Sequence, residues 1–351
     1  MKITVRGAGI VGLACADELI GRGHDVTVVD PAPGSGASHA AAGMLSPSSE
    51  VWWDETALLD LGLRALDLWP AFANRLDVVI QATGTVLAAR DHGDLQQVER
   101  QLALLADRGR PVDVLGPREV TALEPAITHR VAGGALLHDD HAVDPRAVVA
   151  ALLSRVPVVS RLPRKREVPP AWARTSTTGD ADVTVLATGA RLPPPYAHLV
   201  RGIRGEIIRA RLIEGAPTRT VRGWVRGESV YVVPRPTGEV VIGATSEEHA
   251  GPAVVTVGGV GRLLEAAREL VPALDRAEFV EAIARDRPAS SDHLPLIGPA
   301  DDEASIVLAA GLHRHGVLLA PLAAQVVADF IDTGAVDPIL DPRRVTSGVS
   351  A

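Results

Sequence analysis

A run with the character of a β-strand, Lys2-Ile3-Thr4-Val5-Arg6, leads into Gly7-Ala8-Gly9-Ile10-Val11-Gly12 and then into an apolar helical stretch. Glycines at this spacing suit the pyrophosphate of a dinucleotide. The first makes a tight turn, the second lets backbone approach the phosphates, and the third lets helix and strand pack closely. The helix that follows offers unpaired N–H groups and the positive end of its dipole to the anion. A second strand-like run, Asp25 to Val29, ends at Asp30. That is about twenty residues on, where a carboxylate accepts hydrogen bonds from ribose hydroxyls. The motif is shared by FAD and NAD sites and leaves both open.

After Asp30-Pro31 comes a stretch with almost no side chains, from Gly36 to Pro47. Such a stretch lets backbone approach an extended cofactor and its flat ring. Asp30-Pro31 together with Ala41-Ala42-Gly43-Met44-Leu45 resembles the FAD-dependent amino-acid oxidases related to D-amino-acid oxidase, closest to the glycine oxidases (ThiO) of thiamine biosynthesis. Four further segments resemble that family in the same order. They are Asp139 to Pro145, Leu186-Ala187-Thr188-Gly189, the pair Val230 to Arg235 and Glu239 to Thr245, and a last group of Arg287-Pro288, Asp292 to Gly298 and Gly311 to Pro321. The resemblance runs from residue 1 to about residue 335.

It implies an α/β fold in which a Rossmann-like FAD-binding domain (1–50, 135–195 and 285–340) is interleaved with an α+β, mixed-sheet substrate domain (51–134 and 196–284), leaving 341–351 as a loose tail. Non-covalent FAD is expected on Gly7, Ala8, Gly9, Ile10, Val11, Gly12, Asp30 and Pro31. The side-chain-poor stretch adds Ala37, Ser38, Ala42, Gly43 and Met44, and the strand end adds Ala187, Thr188 and Gly189. The late loop adds Gly311, His313, Arg314, His315, Gly316, Val317 and Leu318. The implied reaction is oxidative deamination of glycine or a small amino acid. Hydride leaves Cα, the imine hydrolyses to glyoxylate and ammonia, and molecular oxygen becomes hydrogen peroxide. The implied setting is thiazole formation, in a homo-oligomer that could be a tetramer. A D-amino-acid oxidase or dehydrogenase, or another secondary-amine oxidase, stays open on the sequence. More remote is an NAD(P)-dependent dehydrogenase sharing only the nucleotide fold. A sarcosine oxidase would resemble its family in a late flavin-linking cysteine and an oxygen-activating lysine, whereas Cys15, Lys2 and Lys165 stand elsewhere.

A guanidinium is the natural grip for an amino-acid carboxylate, because its planar fork matches the two oxygens. Orienting a substrate well lowers a barrier by as much as about 7–11 kcal/mol. By resemblance, Arg287 corresponds to the family's carboxylate-binding arginine, Arg314 to a second arginine near substrate and flavin, and Tyr231 to a tyrosine whose hydroxyl reaches the carboxylate. The family's loop usually reads Gly-His-Tyr-Arg-Asn-Gly; here it is Gly311-Leu312-His313-Arg314-His315-Gly316. His313 and His315 are expected as partly exposed loop residues and form no recognisable metal site, so no metal is expected.

Periodicity gives the elements that must position these groups. Helices are predicted over 55–80, Leu95 to Arg108, Val260 to Leu270 and Gly316 to Thr333, the last with its N-terminus at Gly316 facing the flavin. Asp144 and Pro145 read as the cap and first position of another, running to about Ser154. Strands are predicted at Gly84 to Ala89, Gly133 to Leu137, Val183 to Ala187, Gly202 to Leu212, Ser229 to Pro234, Glu239 to Gly243 and Ile306 to Ala310. Arg161 to Arg174 reads as a surface connection. With 351 residues the chain has room for two domains. Its net charge of −8 argues against nucleic acid or an anionic membrane as partner. There is no apolar run long enough for a membrane span and no leader-like start, and the single cysteine fits a reducing cytoplasm as a packing residue.

Overall fold

A computed structural model describes residues 1–52, 55–160, 181–248, 251–300 and 304–346. The connection expected at Arg161 to Arg174 lies outside the described residues. The chain opens with β1 (Lys2–Arg6), α1 (Ile10–Gly21), β2 (Asp25–Val29), α2 (Ala37–Ala40) and β3 (Met44–Leu45). Next come α3 (Thr56–Leu76), β4 (Thr85–Ala89), α4 (His92–Asp107), β5 (Val112–Leu115), α5 (Pro117–Leu123), β6 (Gly133–Leu137) and β7 (His141–Ala142). They are followed by α6 (Pro145–Arg155), β8 (Val158–Val159), β9 (Val183–Leu186), β10 (Arg201–Arg211), β11 (Thr220–Val225), β12 (Glu228–Pro234) and β13 (Glu239–Gly243). The chain continues through α7 (Val257–Leu270), β14 (Glu278–Ala289), β15 (Leu296–Pro299), β16 (Ile306–Ala310), α8 (Ala320–Thr333) and α9 (Arg343–Thr346).

The first sheet has the order β15-β16-β9-β1-β2-β8 and is parallel except for β15. Its central strands are Val-, Ile- and Leu-rich, as a parallel sheet covered on both faces requires. Leu13 and Leu19 of α1, Val148 and Leu152 of α6 and Val327 of α8 share its core. Cys15 is buried there too, and burial pushes its thiol up to about 12, which makes it a packing residue. Trp69 of α3 is fully buried against the same core and donates its indole N–H to the Leu318 carbonyl at 2.8 Å.

The second sheet has the order β14-β10-β13-β12-β11-β4-β6-β5, antiparallel except between β4 and β11. Alternation sorts its faces. Ile208, Ala210, Val221, Val230, Val232, Val240 and Ile242 point one way and pack on Leu263, Ala267 and Leu270 of α7. The residues between them, Gly205, Ile207, Arg222, Ser229 and Tyr231, face a cavity on the other side, joined by Arg285 and Arg287 of β14.

Several sequence expectations need correction. β14 was not foreseen as a strand, because its charged pattern hides its apolar positions. It is an edge strand of the sheet, paired along its length with β10 and bridged at Ala289 to Leu312, where charge is tolerated and Pro288 needs no ladder N–H. β11 was likewise missed. The helix expected from Gly316 starts at Ala320, because His315 and Ala320 donate to carbonyls three residues back and wind the preceding loop into tight turns. The expected domain boundaries at 134/135 and 284/285 fall inside β6 and β14, which belong whole to the second sheet. The tail is tied down as far as α9, where Arg344 Nε donates to Asp292 Oδ2 at 2.8 Å. Among the described residues no helix is long and apolar enough to cross a membrane.

Trp69→Ala should lower the unfolding free energy by about 3–5 kcal/mol. Trp69→Phe, which keeps most of the volume but loses the hydrogen bond, should cost about 1–3 kcal/mol; urea denaturation measures both.

Candidate active site

A cavity of about 1500 Å³ lies between the carboxyl ends of β1 and β2 and the open face of the second sheet. Ligands of open α/β sheets bind at such strand ends. Gly7 takes φ +107°, and a Cβ there would fall 2.3 Å from the Ala187 carbonyl oxygen. A Cβ on Gly12 would fall 2.1 Å from the Gly7 carbonyl oxygen, so α1 packs on the turn only through glycine. No side chain caps α1 at Gly9, and Ser38 Oγ accepts from Ile10 N at 3.0 Å. Asp30 accepts from Ala8 N at 2.6 Å and from Ala32 N at 2.7 Å, one bond per oxygen. Each oxygen keeps a free lone pair.

Gly7, Gly9, Ile10, Val11, Asp30 and Pro31 line this end. Ala37, Ser38, Ala42, Gly43, Met44, Ala187, Thr188 and Gly189 line the walls, and His313, Arg314, Gly316 and Val317 close over them. Five residues expected at the cofactor do not line the cavity. Ala8 and Gly12 are spent on the turn and on helix packing, and Leu318 lies in the first core. Gly311 turns the chain at φ +71° against Leu296, and His315 is buried behind the wall, with Nδ1 3.6 Å from Glu50 Oε2.

At the sheet end, two glycines make room for two large side chains. Arg287 lies over Gly205, where a Cβ would come within 2.5 Å of its guanidinium. The Tyr231 ring lies over Gly243, where a Cβ would come within 2.2 Å of its hydroxyl. These glycines are on the paired strands β10 and β13, so guanidinium and phenol are carried over neighbouring strands. Burial pushes the Tyr231 phenol up, with Arg287 the largest opposing influence, so the phenol stays neutral and can donate.

The cavity arginines differ in their partners. Arg314 is ion-paired with Glu55 and also donates to the Glu50 carbonyl at 3.0 Å. Arg222 pairs with Glu50 at 3.1 Å. Arg285 reaches toward the other end, donating to Ser35 O at 3.0 Å. Arg287 meets only carbonyls among the described residues, Thr245 O at 3.0 Å and Arg204 O at 3.5 Å. Arg314, expected beside the substrate, is at the cavity but is largely occupied by glutamate. His313 is half-buried, and burial, then Arg314, pushes its imidazole down to about 2. His315 is buried, at 5% exposure, rather than partly exposed as expected, and burial, then Arg314 and Arg222, holds it well below its ordinary value. Both are neutral imidazoles near pH 7. Sequence reasoning missed Glu50, Trp52, Glu55, Arg222 and Ser229. Alternation in Thr220 to Val225 is the signal that could have found Arg222, which sits opposite Tyr231 in the β11–β12 pair.

Residues 2–330 match the family described as DAO, FAD dependent oxidoreductase. The chain belongs to this family. This DAO-family oxidoreductase is 30% identical over 353 residues to a glycine oxidase of Geobacillus kaustophilus, covering 94% of this chain and 92% of that protein. It is 33% identical to a putative thiamine biosynthesis oxidoreductase ThiO of Rhizobium etli, covering 93% of this chain and 95% of that one. It is 32% identical to a bifunctional protein ThiO/ThiG of Trichormus variabilis across 96% of this chain, and spans 54% of that relative's length. A crystal structure of glycine oxidase from Geobacillus kaustophilus matches with a TM-score of 0.84 at 28% identity over 97% of both chains.

FAD is the cofactor of this family, and the residues present fit it. The glycine turn excludes side chains from the α1 N-terminus, Asp30 retains acceptor capacity, and the Ala41 to Gly43 wall is bare of side chains. Gly12→Ala should therefore purify without flavin, which the visible absorbance spectrum reads directly. Ser48 N and Ser49 N donate to the buried Asp140 carboxyl at 3.0 and 3.1 Å. Burial pushes Asp140 from 3.8 up to about 7. The folded form then holds a proton that the unfolded chain releases, so this group's contribution to stability is lost as pH rises through that window. The stability of Asp140→Asn relative to the parent should rise from about pH 4 to about pH 7 and level off above, by urea denaturation at each pH.

Proposed function

We propose that this flavoprotein is an amino-acid oxidase acting on glycine or a similarly small amino acid, and that it releases the imine, which hydrolyses to the oxo acid and ammonia. Arg287 carries the reading. It is a cavity-facing guanidinium with no carboxylate partner among the described residues, laid beside a neutral phenol. That is what a substrate carboxylate requires.

FAD held there would supply the hydride acceptor for the substrate Cα and the route for its electrons to an acceptor such as oxygen, which would give hydrogen peroxide. The backbone of Gly9 to Val11 at the α1 N-terminus would hold the pyrophosphate, Asp30 the ribose, and the Ala42 to Met44 wall with the His313 to Val317 loop the ring. The cofactor would then lie on the first sheet and the substrate on the second. The Arg287 fork grips the carboxylate, and the Tyr231 hydroxyl donates to the same group. Two contacts on one carboxylate fix the direction of Cα. The neutral His313 and His315 add no cation to compete with Arg287 for it. The names of the Geobacillus and Rhizobium relatives support glycine as substrate and thiamine biosynthesis as the setting.

The test is anaerobic addition of glycine to the purified yellow protein. The flavin band should bleach and return with oxygen. A band that stays unchanged with glycine but bleaches with D-alanine would replace the substrate, and no bleaching by any amino acid would remove the activity. Arg287→Lys keeps the charge and loses the fork, and should lower kcat/KM by about 100-fold.

A further inference from the structure

Arg287 and Tyr231 account for one half of a zwitterion. An α-amino acid also brings an ammonium, and an ammonium taken out of water needs acceptors. Only two carboxylates among the described residues line the cavity, Asp30 and Glu50. Asp30 is at the nucleotide end and both its oxygens accept backbone N–H groups. Glu50 is at the sheet end and is 7% exposed. Its Oε1 accepts from Arg222 Nη1 at 3.1 Å. Its Oε2 meets no described donor within hydrogen-bond distance, with His315 Nδ1 3.6 Å away. A carboxylate has about four acceptor positions, so most of this one's capacity is unfilled.

Glu50 is also held in place. Its own carbonyl accepts from Arg314, and Asp140 takes the N–H groups of Ser48 and Ser49 just before it. Arg222 stands directly across from Tyr231 in the β11–β12 pair, on the cavity face. Arg287 and Glu50 both act electrostatically on the Tyr231 phenol, one lowering and the other raising it. Arg287, Glu50 and Tyr231 all line the one cavity.

We propose that Glu50, oriented by Arg222, accepts the substrate's α-ammonium while Arg287 and Tyr231 hold its carboxylate, so that the cavity recognises a zwitterion and not a carboxylate alone. This rests on the amino-acid reading of the site. Acetate would use only the arginine and tyrosine; glycine would use all three groups.

The experiment measures acetate and glycine dissociation constants on the holoenzyme, from perturbation of the flavin spectrum by acetate and from anaerobic reduction by glycine. Glu50→Gln preserves shape and removes charge. It should weaken glycine by about 10- to 100-fold and leave acetate within about twofold, the scale of a hydrogen bond to a charged group. Glu50→Asp, which keeps a carboxylate, should recover part of the glycine affinity. Equal losses for both ligands would make Glu50 a structural brace and overturn the proposal, as would unchanged glycine binding. Glycine that neither reduces nor perturbs the wild-type flavin would overturn the amino-acid reading and this proposal together, a result distinct from either of those.

Discussion

The substrate end depends on two places where the second sheet carries no side chain. A long arginine on β14 can lie flat across β10 only because Gly205 is beneath it, and the Tyr231 ring can lie flat across β13 only because Gly243 is beneath it. Both side chains are thereby confined to the cavity floor by contact rather than by an ion pair. That leaves the Arg287 charge uncommitted, which is costly for a partly buried guanidinium unless carbonyls accept its N–H groups. Thr245 and Arg204 supply those carbonyls. A glutamate in their place would hold the arginine more tightly and would block its use on a ligand, as Glu55 does for Arg314.

The nucleotide end must keep its position relative to this floor. The joint is the side-chain-poor stretch itself. Ala40 and Ala42 pack on Ile207, Val233, Val241 and Ile283 of the second sheet. Arg235, at the end of β12, donates to the Ala42 carbonyl and to Gln81. Arg146 of α6 pairs with Glu281 of β14 at 2.6 Å. The same few residues thus wall the cofactor cavity and hold the two sheets together. The small side chains of Ala37, Ser38 and Ala40 to Gly43 follow from both demands.

Local signals were legible in the sequence and distant pairings were not. Gly7 to Gly12 with Asp30 could be read because strand, turn and helix are consecutive. The β12–β13 hairpin could be read because Pro236-Thr237-Gly238 names its turn, and Gly238 takes φ +82°. Arg287 was identified by resemblance alone, since nothing in Asp286-Arg287-Pro288 reveals an edge strand. Glu50 and Arg222 are 172 residues apart, and neither carries a local mark of the other. The pairing of Arg314 with Glu55 was hidden for the same reason, since Glu55 is 259 residues earlier. The exposure expected for His315 was wrong because a polar loop sequence does not show that the loop folds beneath Glu50.

The most direct measurement is acetate binding to FAD-loaded Gly205→Ala, read from the flavin spectrum. The added methyl would fall on the Arg287 guanidinium, whose atoms are the three nearest to that position, and displace it from the floor. Flavin content should stay at the wild-type level while acetate binding weakens by about tenfold or more, the loss of a charge-assisted grip. Unchanged acetate affinity would contradict the placement of the carboxylate on Arg287.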